Sequence, residues 1–568
     1  MPLLRHCLTL VTLVLIVLMM MMTTTTTSMV MASPSTERLA ADATSSPESH
    51  RPFVVFVCFH DRGHWSVMQQ LVEHAARLDM YEIGFAVARE RRHAAEQLRD
   101  LGVSWIDAGS IPFSLDEETA LKVALFDPTS PISMLQHLDQ FFGRIGEAMV
   151  KQLKPTFERR KPDFLVCDMM TTACTDLAEY FSIPSMMLLT MPAESLGVAR
   201  SEGRKTANVL VRALAPLGSL LLERAIRVVM RYRNDEVRHK LLNLPPVPSW
   251  VGSGVQYPKS VIIVGSSLAW EPAASYPPFL HFVGPLLPKS AASKIDDDLR
   301  AWLEQPRETH GHVVYVATGT NVELDQAQVD ALARAIGRVA DAGHRVLWSL
   351  RSAQQAILFH QSNANNDNEQ VTSRASWRER VRVMEWVPQL EVLSHENTRV
   401  FLSHCGHNSL MEALMHGRAI LAMPFGADQP ANARLVEHHG VGLATSPRPI
   451  SSDDVAQSLL RLLDDEQFTI NARRLQKKLA LEPGFNEAIR LLRVGVEAGN
   501  EHFTPAIFKE HWIHHNDVDL MVLSAVAVIV VYQVVSWCCG CLLCRGSKKS
   551  STTSATKKQQ QKHHHKAE

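Results

Sequence analysis

Short apolar runs of strand length recur along the chain, and each is followed by a polar loop and then by an amphipathic stretch. Such runs occupy residues 53–59, 162–167, 312–316, 399–403 and 419–423. Continuous apolar character is typical of strands in parallel sheets, because helices cover both faces of those sheets. The alternation of runs and amphipathic stretches therefore predicts an α/β fold built on parallel sheets.

Two polar residues follow apolar runs in the first half of the chain. His64 lies in a predicted loop before a helix at 66–78, and Asp168 directly follows the run at 162–167. Because the carboxyl ends of parallel strands share one edge of a sheet, we expect both side chains at the same rim. A histidine there can remove a proton from a hydroxyl, and a carboxylate on its other ring nitrogen fixes the tautomer. His60 in the same loop is a second candidate base.

The segment 386–429 has the most specific pattern in the chain. Its apolar run at 399–403 leads into a tight turn, and Asn408 is a favourable N-cap for a helix that ends near Gly417. A helix N-terminus presents backbone N–H groups and partial positive charge, which suits a diphosphate. Gly406 in the turn lets the backbone approach such a ligand closely.

Four side chains near this helix have complementary chemistry. Trp386 offers a flat face to a base, and Glu412, one turn beyond Asn408, can accept hydrogen bonds from ribose hydroxyls. Asp428 and Gln429 can bond to sugar hydroxyls. Each residue taken singly is more often a core aromatic, a solvated charge or part of a turn. Their order within one segment indicates a site for a nucleotide that carries a sugar.

In order and spacing, this segment resembles the donor-binding segment of UDP-glycosyltransferases, and the chain is similar to the membrane-bound, inverting, UDP-glucuronosyl- and UDP-glucosyl-transferring branch of that family. The resemblance implies two Rossmann-like, doubly wound parallel-sheet domains that face a cleft (the GT-B type), followed by a transmembrane helix. It places Thr320, in the loop after 312–316, near the phosphates. The other donor-site residues that it implies are Trp386 for uracil, Gln389 beside the base, His404, Gly406, Asn408 and Ser409 at the phosphates, Glu412 at the ribose, and Asp428 and Gln429 at the sugar.

The resemblance also implies an activity, that of a UDP-dependent hexosyltransferase. The acceptor oxygen displaces UDP at the anomeric carbon, so an α-linked donor yields a β-glycoside. His64 and Asp168 correspond to the family's base and its partner. The expected donors are UDP-glucose or UDP-glucuronate, with no permanent cofactor and no metal. The expected acceptor is a small lipophilic hydroxyl compound such as a sterol or phenol.

Two other functions stay open at this point. One is a transferase that modifies proteins or ceramide-like lipids. The other is a membrane-anchored, non-catalytic protein that binds UDP-sugars or lipids on the same scaffold. One departure from the membrane-bound relatives concerns donor recognition, because Ser349 stands where those enzymes tend to carry Arg.

Both ends of the chain carry membrane signals. Arg5 and an apolar run at 8–22 precede a small-residue cleavage site, which predicts a secretory signal peptide. The uncharged stretch 520–544 would span about 37 Å as a helix, enough to cross a bilayer. The basic tail after it predicts a type I topology, with the main body in the lumen and the tail in the cytosol. Residence in the endoplasmic reticulum is implied by the resemblance.

The predicted organisation has two globular domains between these terminal segments. The composition, with 46% hydrophobic residues, is typical of a globular protein. The near balance of 58 basic and 59 acidic residues does not indicate a nucleic-acid-binding protein. Four cysteines of the main body have a spacing that fits neither a zinc site nor a dense disulfide framework. Homo-oligomerisation stays open. The predicted segments are a signal peptide (1–32), a disordered linker (33–50), an acceptor-binding domain (51–285), a UDP-sugar-binding domain (286–500), a juxtamembrane segment (501–519), the transmembrane helix (520–544) and the cytosolic tail (545–568).

Overall fold

A computed structural model of the chain describes most of the two predicted domains. The predicted signal peptide, linker and tail lie outside the described residues, and so does the predicted transmembrane segment apart from Gln533. Within the described ranges, no helix is both long enough and apolar enough to cross a bilayer. The described residues are 51–125, 131–193, 236–244, 260–272, 276, 279–287, 295–359, 372–500, 502 and 533.

The first sheet is parallel throughout and has the strand order β3-β2-β1-β4-β5-β6-β7. Strand order reverses between β1 and β4, and this is the place where ligands bind in doubly wound sheets. The strands in the described part of this sheet are β1 (Phe53–Val57), β2 (Glu82–Val87), β3 (Ser104–Asp107), β4 (Phe164–Asp168), β5 (Ser185–Leu189), β6 (Val261–Val264) and β7 (Leu280–Phe282).

The second sheet repeats the same winding, with the order β10-β9-β8-β11-β12-β13 and parallel pairing throughout. Its reversal point lies between β8 and β11. The strands described here are β8 (Val313–Ala317), β9 (Arg345–Ser349), β10 (Val381–Met384), β11 (Thr398–Ser403), β12 (Ala419–Ala422) and β13 (Gly442–Ala444).

Helices connect the strands and cover the sheets. In the first half they are α1 (Arg62–Ala76), α2 (Arg92–Glu96), α3 (Leu115–Leu125), α4 (Pro131–Arg159) and α5 (Thr172–Phe181). In the second half they are α6 (Asp297–Leu303), α7 (Arg307–His310), α8 (Gln326–Asp341), α9 (Ser352–Phe359), α10 (Ala375–Arg380), α11 (Gln389–Ser394), α12 (His407–Met415), α13 (Gln429–His438), α14 (Ser452–Asp464), α15 (Glu466–Leu479) and α16 (Phe485–Ala498).

The central strands are buried on both faces, which explains their continuous apolar sequence. Every residue of β1, β4 and β8 is buried. Alternate residues of β1 belong to different clusters: Val54 and Phe56 pack with α1, and Val55 and Val57 pack with α4 and α5. The α/β class and the two parallel sheets predicted from the sequence are confirmed.

The last helix, α16, returns to the first domain. Phe485, Leu491 and Leu492 of α16 lie in the core cluster that contains β1 and β2. Phe485 also stacks on His74 of α1, with ring centroids 4.4 Å apart. The first domain is therefore completed by residues from the far end of the sequence.

The two chain crossings between the domains lie side by side. Gly284 follows β7 with a φ of 92°, and a Cβ at this position would overlap the side chain of Glu482. Gly484 N donates a hydrogen bond to Val283 O at 2.7 Å. A glycine is required at 284 by both its left-handed backbone and the close approach of the returning chain.

Two predicted helix starts are wrong by a few residues. Helix α1 begins at Arg62, not at 66, so His64 lies in the first turn of a helix and not in a loop. Helix α12 begins at His407 with Gly406 at the N-cap, so Asn408 is the second helical residue and not the cap. His64 therefore moves from the predicted loop into the first turn of α1, and Asn408 moves from the predicted cap into the first turn of α12.

Candidate active site

The first half of the site lies where β1 and β4 end. These strands pair in parallel, with Val57 beside Cys167, so the residues that follow them lie at the same edge of the sheet. His64 Nδ1 lies 2.9 Å from Asp168 Oδ2. Asp168 is fully buried whereas the His64 side chain is 18% exposed. The carboxylate is thus shielded from water while the imidazole can still be reached by a substrate.

Asp168 is held by its own turn and by a crosslink. Its Oδ1 accepts a hydrogen bond from Met170 N, and its carbonyl accepts one from Thr171 N, both at 2.9 Å. A disulfide joins Cys167, immediately before Asp168, to Cys174 in the first turn of α5. The sequence analysis did not anticipate this bond, because one short-range crosslink leaves no framework pattern in the cysteine spacing.

The electrostatics of His64 favour its role as a proton acceptor. Burial disfavours the charged imidazolium, but the charge and hydrogen bond of Asp168, with Asp61 and Asp428, outweigh it and raise the pKa of His64. Asp168 accepts the hydrogen bond at Nδ1, which leaves the lone pair of the neutral ring on Nε2. The pair can therefore take a proton at Nε2 and stabilise the cation that results.

The second half of the site begins with His404, which follows β11. A Cβ at Gly319 or Gly406 would lie 2.6 or 2.5 Å from His404 Nε2, so the ring occupies the space that both glycines leave. Burial lowers the pKa of His404 to about 4, so the ring is neutral at pH 7. His404 Nδ1 is buried with no hydrogen-bond partner in the described part of the chain. Such a nitrogen suits the polar group of a bound ligand.

Helix α12 brings the second half of the site against the first. Asn408 and Ser409 stand in its first turn, where backbone N–H groups have no partner within the helix. Asn408 Nδ2 donates a hydrogen bond to Gly63 O at 2.6 Å. Gly63 immediately precedes His64, so the helix start predicted for phosphates lies next to the predicted base.

A hydrogen-bond network orients the residue predicted for ribose. Gln389 Nε2 donates to Glu412 Oε2 at 2.7 Å and to Ser409 Oγ at 3.1 Å, and Tyr315 Oη donates to Gln389 Oε1 at 3.3 Å. Burial raises the pKa of Glu412, while the hydrogen bond from Gln389 and the charge of Arg62 act in the opposite direction. Gln389 therefore supports Glu412, in addition to the contact beside the base that the resemblance implies.

The two residues predicted for the sugar differ in how they are held. Asp428 Oδ2 accepts hydrogen bonds from His407 N at 3.2 Å and from Asn432 Nδ2 at 2.8 Å, and burial raises the pKa of Asp428 to about 6. Gln429 is buried, and its Oε1 accepts a hydrogen bond from Phe425 N at 2.8 Å. The Asp428 carboxylate is thus positioned by the start of α12, whereas the Gln429 carbonyl holds the preceding loop.

The remaining predicted residues lie at the mouth of the cleft. Trp386 is 50% exposed, which is unusual for a tryptophan in a globular domain. Thr320, after β8, lines a cavity of about 420 Å³ with residues of both domains. The other lining residues are Asp61, Arg62, Trp65, Arg91, His93, Glu118, Thr119, Asn321, Glu323 and Arg351.

One group near the site has ligand types that metals accept. His60, Asp61 and Glu118 place one donor atom each within 4.8 Å of one another. His60 Nε2 lies 3.1 Å from Glu118 Oε1, a distance that a histidine–carboxylate hydrogen bond explains by itself. This pairing also distinguishes the two candidate bases, because His60 is buried against α3 and His64 contacts Asp168.

The comparisons with known proteins agree with the geometry. A family model described as "UDP-glucoronosyl and UDP-glucosyl transferase" matches residues 268–550. The UDP-glycosyltransferase stmC of Aspergillus ustus is 26% identical over 441 residues, which cover 70% of this chain and 80% of that protein. The UDP-glucuronosyltransferase 1A9 of Mus musculus is 25% identical over 297 residues, 51% of each chain.

This chain belongs to the UDP-glycosyltransferase family. Solved structures show the fold. Os79 from O. sativa, in complex with UDP, has a TM-score of 0.54 at 22% identity and covers 78% of this chain and 100% of its own. The glycotransferase of kitacinnamycin has a TM-score of 0.55 at 18% identity, with 78% and 99% covered. The transferase therefore has the predicted GT-B arrangement of two parallel-sheet domains.

Sequence reasoning missed several residues that position the site of this glycosyltransferase. Tyr315 and Asn432 hold Gln389 and Asp428, but each stands inside a regular strand or helix and carries no local signal. His407 lies in the predicted turn, where nothing local indicates that its Nε2 lies 3.0 Å from Gly265 O in the first domain. Arg62 was treated as part of a loop although its guanidinium lies over Trp386.

Proposed function

We propose that this transferase moves a hexose from a UDP-sugar to a hydroxyl group of a small lipophilic acceptor, with inversion, and that His64 is the general base. The observation that carries the proposal is the 2.9 Å contact between His64 Nδ1 and Asp168 Oδ2. The hydrogen bond from Asn408 to Gly63 also supports the proposal. Gly63 precedes His64, and Asn408 lies in the helix start expected to bind the diphosphate.

The proposed reaction is a single displacement. The acceptor oxygen attacks the anomeric carbon while its proton moves to His64 Nε2, and the bond from that carbon to the diphosphate oxygen breaks. Asp168 stabilises the imidazolium. Negative charge that develops on UDP is stabilised by the N–H groups of the first turn of α12 and by His404. Attack opposite to the leaving group inverts the configuration, and the arrangement requires no metal.

The donor side favours a neutral hexose. The Asp428 carboxylate, expected to face the sugar, can accept hydrogen bonds from hydroxyls but repels a second carboxylate. Its pKa of about 6 keeps it largely ionised at pH 7. We therefore favour UDP-glucose over UDP-glucuronate. The UDP bound by the rice neighbour supports a UDP-sugar as the donor class.

The surroundings of His64 favour an apolar acceptor. The Phe59 ring meets the His64 ring edge-on, with centroids 5.5 Å apart. Phe59 continues into a cluster of aromatic contacts with Phe141 and Phe142, and Phe113 stacks on Phe141 at 5.5 Å. Phe59 and Phe141 are buried in the core, whereas Phe113 and Phe142 are only partly buried. Planar or alicyclic hydroxyl compounds, such as phenols and sterols, can pack against partly exposed rings of this kind.

The disulfide supports the proposed compartment. Structural disulfides persist in oxidising compartments and are rare in the cytosol. The bond between Cys167 and Cys174 beside the catalytic carboxylate therefore agrees with a main body in the lumen of the endoplasmic reticulum. This is the side on which the predicted type I topology, with its span at 520–544, places residues 51–500.

UDP release by the detergent-solubilised full chain tests the proposal. UDP-glucose, UDP-glucuronate, UDP-galactose and UDP-N-acetylglucosamine are each offered with a panel of sterols and phenols. We expect acceptor-dependent release, greatest with UDP-glucose, and a β-linked product identified by the anomeric proton coupling. Measurable UDP binding without turnover for any donor would instead support the non-catalytic, membrane-anchored alternative.

The variant His64→Ala tests the base assignment. Loss of a general base typically costs about 10²–10⁴-fold in rate, so kcat should fall by that factor. UDP binding should change little, because His64 serves the acceptor and not the nucleotide. The matched control is His60→Ala, which removes the neighbouring histidine. If His64→Ala keeps full activity while His60→Ala does not, the base is His60.

A further inference from the structure

The residue just before the catalytic Gly-His step lies on the aromatic ring expected to bind the base. Arg62 is the first residue of α1, and its Cζ lies 4.1 Å from the centroid of the Trp386 ring. The two residues belong to different domains. A guanidinium plane stacked on an indole is a favourable contact, worth about 0.5–1 kcal/mol at an exposed site or two- to five-fold in an equilibrium constant.

The Arg62 guanidinium lies near the predicted ribose position. Glu412, predicted to bind the ribose hydroxyls, is close enough for its charge to act on Arg62 and for the charge of Arg62 to act on Glu412. A guanidinium at 4.1 Å fills the first stacking layer over the indole. A base cannot enter this layer until Arg62 leaves it, because aromatic layers need about 4.5 Å or more between centroids.

Gly63, the next residue along the chain, contacts the side chain predicted to bind the phosphates. The Gly63 carbonyl accepts the hydrogen bond of 2.6 Å from Asn408 Nδ2, the amide predicted to serve the phosphates. Two adjacent residues of the first domain thus engage the base platform and the phosphate amide of the second domain together.

We propose that Arg62 and Gly63 form an internal occupant of the donor site, which the nucleotide displaces when it binds. Arg62 then lowers the affinity for the sugar donor. Its contact with Trp386 forms when no nucleotide is bound and must be broken before the nucleotide can bind. The proposal rests on the proposed function, because it uses the assignment of Trp386 to uracil.

Uridine is the probe that isolates this effect. It is neutral, so its affinity does not respond to the loss of positive charge near a diphosphate, whereas that of UDP does. We would measure the dissociation constant of uridine by isothermal titration calorimetry on the full chain in detergent. The variants are Arg62→Ala and Arg62→Gln, with Arg91→Ala as a matched control, since Arg91 lines the same cavity and carries the same charge.

We expect both Arg62 variants to bind uridine about two- to five-fold more tightly than the unchanged chain, and Arg91→Ala to bind it equally well. In the Trp386→Ala background, Arg62→Ala should have no further effect, because the competing contact is already lost. Unchanged or weaker uridine binding in the Arg62 variants would overturn the inference. So would the same tightening in the Trp386→Ala background.

The experiment separates this inference from the proposed function. If Trp386→Ala alone leaves uridine affinity unchanged, the assignment of Trp386 to uracil is wrong and the internal occupant fails with it, whereas the His64 assignment is tested separately by His64→Ala. If Trp386→Ala weakens uridine binding at least several-fold and the Arg62 variants do not tighten it, Trp386 binds the base as assigned. Only the proposal that Arg62 and Gly63 occupy the donor site is then wrong.

Discussion

At the scale of single residues, one hydrogen bond decides which nitrogen of His64 is left to accept a proton. Asp168 engages Nδ1 at 2.9 Å, so the proton-accepting lone pair lies on Nε2. The same carboxylate raises the pKa of His64 against the effect of burial. Asp168 therefore determines both the orientation of the His64 ring and its basicity.

The pH dependence follows from two groups that must lose their proton. The pKa of His64 is raised and that of Asp428 is about 6, and in the proposed mechanism both act in their deprotonated forms. We expect kcat/KM to rise with pH through the slightly acid to neutral range. In Asp168→Asn, kcat should fall about 10²–10⁴-fold, and the His64 contribution to the acid limb should move to lower pH. A pH–rate profile checks this, and an unmoved acid limb in the variant would contradict it.

Gly406 can be tested through the ring that it accommodates. Its φ is −59°, so alanine meets no backbone strain there, but the new Cβ would lie 2.5 Å from His404 Nε2. In Gly406→Ala the His404 ring must move, and we expect the dissociation constant of UDP to rise about ten-fold, roughly one hydrogen bond to a charged group. Calorimetric titration with UDP measures the change. Unchanged UDP affinity would show that His404 does not serve the phosphates.

At the scale of elements, the turn between β4 and α5 depends on its crosslink. Cys167 and Cys174 close a short loop around Asp168. For a loop of this size the entropy model gives about 2.5 kcal/mol of stabilisation. The double variant Cys167→Ser and Cys174→Ser should therefore lose about that free energy of unfolding and, with Asp168 less firmly held, part of its kcat. Denaturant unfolding followed by activity assays checks both. An unchanged midpoint would mean that the turn is fixed by hydrogen bonds alone.

The element boundaries show where local sequence was sufficient. The strand at 399–403 and the glycine that ends α12, Gly417 with φ 64°, agree with prediction because apolar runs and left-handed turns are local properties. The starts of α1 and α12 do not, since Asp61 and Gly406 take the cap positions without a capping hydrogen bond from a side chain to the first helical turn. A cap of this kind is set by the backbone path out of the strand and leaves little trace in the sequence.

At the scale of the whole molecule, α16 makes the first domain depend on the end of the sequence. Leu491 is fully buried in the first domain's core. Leu491→Ala should cost about 2–5 kcal/mol and destabilise that domain, although residue 491 falls within the segment 286–500 predicted for the second domain. Leu481→Ala is the control, because Leu481 is 87% exposed and should change stability by less than about 0.5 kcal/mol. Limited proteolysis and thermal unfolding report the difference. Equal midpoints for the two variants would contradict the packing.

The sequence by itself determined the α/β class, the parallel sheets and the identity of the polar residues at the strand ends. These follow from local patterns: apolar runs, turn residues and the fixed spacing of Trp386, Asn408 and Glu412. Only the tertiary structure decided which groups meet, namely Asn408 with Gly63 and Arg62 with Trp386. Those pairs join residues more than 300 positions apart, and their contact depends on how two separately wound sheets close on one cleft. No local propensity contains that information, because it arises from packing between the domains.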